Sequence, residues 1–264
     1  MKHFVSQTIK LPYLFYAFAV VLALSTLAHA EWHFGIGTGP QLLAIDGEAG
    51  LDTAVAPVQL GVDFDFEDMS DFTDAVFGFG GYATDGKWMI QYKIGQLQLE
   101  SDATKGTRTG ATLTAKAEFD YTMAELKVGY PVFESSSYMI RAYSGLRYFR
   151  QELDLVITGT GFIGINRNKS IDESWTDVLL GVSMDIPFAE KWNWNINADA
   201  GYGGSEGTYQ VTTGVMWKFL ESWSATLSAQ YAAVDYENGT KGNTDWYLYD
   251  VDETILGLTI LYNW

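Results

Sequence analysis

The sequence predicts an all-β chain, an antiparallel up-and-down transmembrane β-barrel of ten strands. Three observations predict it. First, Leu256, Leu258, Ile260, Tyr262 and Trp264 fall on every second position at the C-terminus. A period of two is a strand with one continuous apolar face. Such an edge would drive aggregation of a soluble protein, but it suits a last strand that closes on the first one inside a bilayer. Second, the same alternation recurs along the chain between connections of alternating length. Third, Trp and Tyr are abundant, 9 and 16 in 264 residues, and a membrane barrel gathers them into two girdles.

The first thirty residues are read apart from the barrel. Lys2 and Lys10 precede an apolar run from Leu11 to Leu27, and Ala28-His29-Ala30 follows. A charged start, an apolar run and a small-x-small site describe a secretory signal peptide, cut after Ala30. The alternative is an uncleaved anchor, since the run nearly spans a bilayer. Without residues 1–30, a single domain covers 31–264, with 14 basic residues against 33 acidic ones, a net charge of −19. That balance argues against nucleic acid as a partner. The chain has no Cys. It therefore has no disulfide framework, no thiolate metal site and no cysteine nucleophile. After the leader no stretch approaches the roughly 20 apolar residues of a spanning helix.

Taken in order, Glu31 to Ile45 is a Gly-rich strand with Trp32, Phe34 and Ile36 on one face. Asp46 to Thr73 is a long acidic connection. Within it Val58 to Phe66 alternates again, as a strand extension above the membrane, and Asp68 to Asp74 suits a short helical turn. Ala75 to Ala83 and Trp88 to Leu99 flank Thr84-Asp85-Gly86-Lys87, the chemistry of a tight hairpin. Ser101 to Gly110 is a polar loop. Thr112 to Tyr130 changes phase. Leu113, Ala115, Ala117, Phe119, Tyr121 and Met123 form one apolar face, then Leu126, Val128 and Tyr130 form the other. A β-bulge near Thr122–Ala124 would repair the slip.

Pro131 to Ser137 is a turn, and Tyr138 to Gln151 presents Ile140, Ala142, Leu146 and Tyr148 outward. Leu153 to Ile171 is a second long loop. The strand through Val178 to Ile186 follows, then a short turn from Pro187 to Lys191. In Trp192 to Tyr202 aromatic and aliphatic residues alternate with Asn193, Asn195, Asn197, Asp199 and Gly201. Tyr209 to Phe219 and Trp223 to Tyr231 are joined at Glu221-Ser222, and Asp235 to Asp250 is the last loop. The count is ten. It becomes eight if the Gly-rich second strand is miscounted, and twelve if Val58 to Phe66 spans. Short connections fall on one side and long loops on the other, with both termini at the short-turn end.

A soluble sandwich alternates in the same way, with its apolar faces turned inward. Lipid is favoured by small residues on the polar faces (Gly145, Gly201, Gly214, Ser224, Ser228), by aromatics at strand ends and by the lack of any interrupting helix. The polar faces place Lys93, Lys116, Glu118, Asp120, Glu125, Lys127, Arg141, Arg147, Asp177, Asp185, Asp199 and Lys218 in one lumen. Charges removed from water need partners. One reading is a salt-bridge network that fills a small barrel, with Arg141 and Arg147 pairing Asp177 and Asp199. The other is the selectivity lining of a narrow pore. A barrel of this size is near the limit that side chains can fill, which favours the filled lumen.

The chain resembles the small outer-membrane β-barrels of Gram-negative bacteria, a group that includes the transmembrane domain of outer-membrane protein A, the OmpW-like proteins and the opacity-type adhesins. The leader ending Ala28-His29-Ala30, Gly145-Leu146-Arg147-Tyr148, Glu173-Ser174-Trp175 and Leu256 to Trp264 carry the resemblance. The last stretch resembles the family's C-terminal assembly signal, with Trp264 where Phe is usual. The resemblance implies a location in the cell outer membrane. It also implies contact with outer-membrane lipid and lipopolysaccharide, passage through the barrel assembly machinery and an extracellular ligand at the loops.

No chemistry-bearing constellation stands out. His33 is the only histidine after the leader and lies at the start of the first strand. A nucleophile and its base must sit within hydrogen-bond reach, and no spacing of acids picks out such a pair. The acidic segments Asp63 to Asp74 and Asp235 to Asp252 read as solvated surface rather than cation sites, because no EF-hand ligand series is present. The expectation is a non-enzymatic barrel without metal or cofactor, structural or surface-interacting, or else a narrow channel for small solutes or ions.

Overall fold

The computed structural model describes residues 31–52, 57–66, 76–106, 112–159 and 166–264. The expected signal peptide and the expected helical turn at Asp68 to Asp74 lie outside these residues. The described residues form eleven strands: β1 (His33–Asp52), β2 (Pro57–Phe64), β3 (Val76–Thr84), β4 (Met89–Gly106), β5 (Thr112–Glu134), β6 (Met139–Gly159), β7 (Asn166–Ala189), β8 (Trp192–Tyr202), β9 (Gly207–Leu220), β10 (Trp223–Asn238) and β11 (Tyr247–Asn263). Ten of them form a closed antiparallel ring, from β1 through β3 to β11 and back to β1. β2 pairs only with the upper half of β1, from Ile45↔Phe64 to Asp52↔Pro57. It is the expected extension above the membrane, so the barrel has ten strands and not twelve.

Closure places the terminal strand against the first. Gly35 faces Asn263 and Leu51 faces Tyr247 across the seam. Phe34 and Trp264 exchange backbone hydrogen bonds of 2.9 and 3.0 Å. The ladder is interrupted at Gly39–Pro40, where Pro40 has no N–H to give. A Cβ on Gly39 would sit 1.8 Å from the Leu258 carbonyl oxygen, so only glycine permits this approach.

The short turns form as their residues dictate. In the β3–β4 hairpin Gly86 takes φ 87°, the Asp85 carboxylate accepts from the Lys87 and Trp88 N–H groups, and Thr84 Oγ1 donates to the Trp88 carbonyl. Ser135 closes the β5–β6 turn in the same way, accepting from the Ser137 and Tyr138 N–H groups.

Several strands run much further than the apolar pattern suggests. The segments read as loops at Ser101 to Gly110 and Leu153 to Ile171 are largely strand, since β4 and β5 pair out to Gly106↔Thr112 and β6 and β7 to Thr158↔Asn166. β8 and β9 stop early, at Tyr202 and Gly207. Among the described residues the wall is therefore tall along β4 to β7 and along β10, β11 and β1, and low at the β8–β9 hairpin.

The expected bulge at Thr122–Ala124 is absent. β5 pairs β6 in unbroken register from Leu113↔Gly159 to Pro131↔Arg141, and the irregularity lies at Pro131/Phe133. What changes along β5 is the environment. Leu126, Val128 and Tyr130 point outward and are exposed, whereas Tyr121 and Met123 point inward and are buried. Other strands change at the same level. On β11 Leu256, Leu258, Ile260, Tyr262 and Trp264 face out as expected, and Tyr247, Tyr249 and Val251 face in. On β7 Val178, Leu180 and Val182 face out and Trp175 faces in.

The barrel thus has two tiers of opposite polarity. In the lower tier the outer surface is apolar and the interior polar. In the upper tier the interior is apolar, and the outer surface carries groups such as Gln96, Gln98, Arg150, Asp172, Asp235 and Asp250. The apolar outer belt runs on β10 from Trp223 to Tyr231. At about 3.3 Å per residue and a tilt of about 40° this is about 20 Å, close to a bilayer's hydrocarbon depth for a barrel.

Aromatic contacts continue around the lower edge of the belt. Trp264 packs on Phe34 and Tyr262 (both 5.7 Å between ring centroids), Trp223 on Tyr262 (5.1 Å), Trp192 on Trp217 (5.7 Å) and Trp88 on Tyr130 (4.9 Å). Tyr148, Tyr202, Tyr209 and Tyr231 mark the upper edge and remain exposed.

Candidate functional site

Among the described residues the interior of the barrel is where buried charged groups converge, and it is layered. At the level of the upper belt edge lies an ion cluster. Arg147 Nε donates to Glu125 Oε1 at 2.6 Å, and Arg147 Nη2 donates to Asp199 Oδ1 at 2.7 Å. Lys127 Nζ lies 3.1 Å from Glu125 Oε2 and 3.0 Å from Asp199 Oδ2. The Tyr143 hydroxyl donates to Asp199 at 2.8 Å, and the Lys127 ammonium stands 5.3 Å from the Tyr143 ring centre. Two cations and two carboxylates, each touching both opposite partners, form a neutral and buried quartet. Alternation places them: Glu125 and Lys127 share the inward face of β5, and register sets Glu125 opposite Arg147 on β6.

Around the quartet, side chains bridge the lumen. Lys93 Nζ on β4 donates to Gln230 Oε1 on β10 at 2.7 Å. The Tyr121 hydroxyl on β5 donates to Glu253 on β11 at 3.0 Å, and Tyr249 donates to the same carboxylate at 3.1 Å. The Tyr247 hydroxyl donates to Gln151 Oε1 across the ring.

Above this level the interior is a hydrophobic core that includes Leu43, Ile45, Leu97, Phe149, Trp175, Val234, Tyr236 and Val251. Phe149, Trp175 and Tyr236 stack in series, with centroids 4.9 and 3.9 Å apart. The last contact joins β7 to β10 directly over the short β8–β9 hairpin. Side chains close the wall there in place of a backbone ladder. The Tyr236 hydroxyl and Asn238 Nδ2 both donate to Glu173 Oε2, at 2.9 and 3.0 Å, on the same seam. Burial, and then this bond to Glu173, push the Tyr236 phenol up.

The residues expected in the lumen divide. Lys93, Glu125, Lys127, Arg141, Arg147, Asp177, Asp185 and Asp199 do face it. Arg147 pairs Asp199. Asp177 instead accepts from the Gly204 and Ser205 N–H groups (3.0 and 2.9 Å) and the Ser205 hydroxyl (2.8 Å), which pins the β8–β9 loop. Arg141 pairs Asp185 near the short-turn rim.

Lys116, Glu118 and Asp120 do not line the lumen. β5 keeps its register without a bulge, so they share the outward face with Leu126, above the belt. Lys218 is exposed at the lower rim, beside the β9–β10 turn. The upper aromatic core was not foreseen. Its signal was the phase change itself, repeated at one level in several strands.

Below the quartet lies a partly open cavity of about 260 Å³. Its lining includes the amides of Gln41, Asn197 and Gln230, the hydroxyls of Thr212 and Ser228, and Lys93. Among the described residues no group of three His, Asp or Glu side chains is placed to hold a metal ion.

A closed ring of ten strands with a lipid-facing belt, two aromatic edges and a polar interior defines the class: an outer-membrane-type β-barrel. No protein-family model matches the sequence. No curated protein matches it either. Solved structures with a similar fold include the outer membrane protease OmpT from Escherichia coli, at 7% identity over 88% of this chain and 96% of that one, with a TM-score of 0.49. The translocator domain of autotransporter NalP from Neisseria meningitidis shares 12% identity over 95% of both chains, with a TM-score of 0.45. The attachment invasion locus protein Ail of Yersinia pestis shares 8% identity over 89% of this chain and 99% of that one, with a TM-score of 0.36. These likenesses are remote, and the class rests on the barrel's own geometry.

Proposed function

We propose that this is a closed-lumen, non-enzymatic outer-membrane barrel whose role is exercised at its outer surface, through the tall upper walls and their loops. One observation carries the reading. The Arg147–Glu125–Asp199–Lys127 quartet and the aromatic core above it are buried inside the ring at two successive levels. A conducting path would have to break buried charge pairs and then traverse an apolar plug. The polar exterior above the belt supports contact with lipopolysaccharide headgroups and with a ligand outside the cell. His33, exposed at the opposite, short-turn end, is far from that surface.

Single-channel recording of the refolded barrel in a planar bilayer tests the reading. Verified folded protein should give no steady steps. Steps that scale with salt concentration would overturn it in favour of the narrow channel, for which the lower polar cavity is the supporting observation.

A further inference from the structure

The quartet is internally neutral and Arg141 pairs Asp185, whereas the inward Lys93 feels Glu125 and Glu253 only from beyond contact distance. Lys93 has no carboxylate within salt-bridge distance among the described residues. Its ammonium makes one hydrogen bond, to the neutral Gln230 amide at 2.7 Å. An ammonium has three N–H donors, so two remain. Lys93 also lines the lower cavity. Glu125 lines it too, but its two oxygens are taken by Arg147 and Lys127, at 2.6 and 3.1 Å.

Charge removed from bulk water requires a partner, and spare donors on a cation are strong ones. Neutral polar groups line the same space, among them the amides of Gln41 and Asn197 and the hydroxyl of Thr212. A volume of about 260 Å³ is at the small end for ligand sites and holds a compact solute with several waters. Two further buried polar atoms lack partners close by. Ser183 Oγ and Arg141 Nε sit on the same inward faces, and Ser183 is registered against Asn197.

We infer that the lower cavity is a blind-ended binding site for a small oxyanion, a carboxylate or phosphate group, held by the Lys93 ammonium and reached from the short-turn end. The ligand gains a charge-assisted hydrogen bond from Lys93 and neutral ones from the amides and the Thr212 hydroxyl. The quartet above forms the end wall, so binding does not require transport. The inference stands apart from the surface role proposed above.

The test is amide NMR of the folded barrel in detergent micelles, titrated with sodium acetate and separately with inorganic phosphate. Ionic strength is held constant with a bulky organic anion. Saturable shifts at Gly80, Gly81 and Ser228, with either probe, are expected, and the probe that saturates identifies the headgroup chemistry. Lys93→Gln should weaken binding about tenfold or more, the scale of a lost hydrogen bond to a charged group. Thr226→Phe, which fills the cavity and leaves Lys93 in place, should abolish the shifts and guards against misfolding of the first variant. Shifts that never saturate, or that are unchanged in a folded Lys93→Gln barrel, would overturn the inference. Conductance recorded on the same sample keeps this result separate from the closed-lumen reading.

Discussion

Replacing Arg147 by Met tests whether the quartet holds the barrel together. The guanidinium is almost completely buried and gives each of two carboxylates a short bond, at 2.6 and 2.7 Å. Met keeps most of the volume and removes the charge. Glu125 and Asp199 are then left with Lys127 as the one cation in contact with them, at 3.1 and 3.0 Å. Removing one partner of a buried ion pair costs about 3–5 kcal/mol. The chain has one escape, protonation of the stranded carboxylate. At pH 7 that route costs about 4 kcal/mol, at about 1.4 kcal/mol for each unit between the pH and an ordinary carboxyl pKa. The expected loss at pH 7 is therefore about 3–4 kcal/mol. At pH 5 the same route costs only about 1 kcal/mol, so the penalty should shrink. The double variant Arg147→Met with Glu125→Gln leaves Lys127 and Asp199 as a balanced pair and should recover at least about 1 kcal/mol of the loss. Urea titration of the barrel in lipid vesicles, followed by tryptophan fluorescence, reads all three values. A penalty under about 1 kcal/mol, or one that does not change between pH 7 and pH 5, would refute the reasoning.

The two-tier surface predicts opposite outcomes for one substitution made at two levels. Leu227→Arg lies in the middle of the belt and should cost about 2–4 kcal/mol of stability in vesicles, while Gln98→Arg, outward but above the belt, should stay within about 0.5 kcal/mol. Asp235, above the membrane, has its carboxyl pushed above the usual range by burial and then by Asp250, Glu206 and Glu237. A carboxyl whose pKa is higher folded than unfolded makes the folded state more stable as pH falls through the folded value. Asp235→Asn should therefore raise the melting temperature at pH 7, and the gain should disappear in mildly acidic buffer.

The belt was legible in the sequence because lipid imposes the strict alternation that exposes it. Leu256 to Trp264 and Trp192 to Tyr202 meet hydrocarbon on one face and other side chains on the other, so a period of two survives. The Thr84–Lys87 hairpin was legible because Asp85 and Gly86 have local roles in the turn. The upper tier was misread because alternation reports which face is apolar, not which side of the barrel that face lies on. At Met123 to Leu126 the solvent around β5 changes from water to lipid and the apolar residues change face with it. A sequence carries that event in the same form as a one-residue slip. The error moved Lys116, Glu118 and Asp120 from water into the lumen. Lys218 was misplaced for another reason, since facing inward at a rim is not burial. The quartet's members were legible from parity, but the pairing was not, because the β8–β9 loop holds Asp177, the residue registered opposite Arg147.

The reversal of polarity along each strand also fixes the depth at which the molecule sits. A barrel with a uniform apolar exterior could ride up or down to suit bilayers of different thickness. Here, sinking by two residues would carry Gln98, Asp172 and Asp250 towards hydrocarbon, and rising by two would lift Leu256 and Leu180 into water. The free energy of immersion therefore climbs in both directions, and hydrophobic mismatch must be met by the lipid. In a membrane thicker or thinner than the belt, the surrounding acyl chains compress or stretch around an unyielding wall, and the protein becomes a local gauge of bilayer thickness.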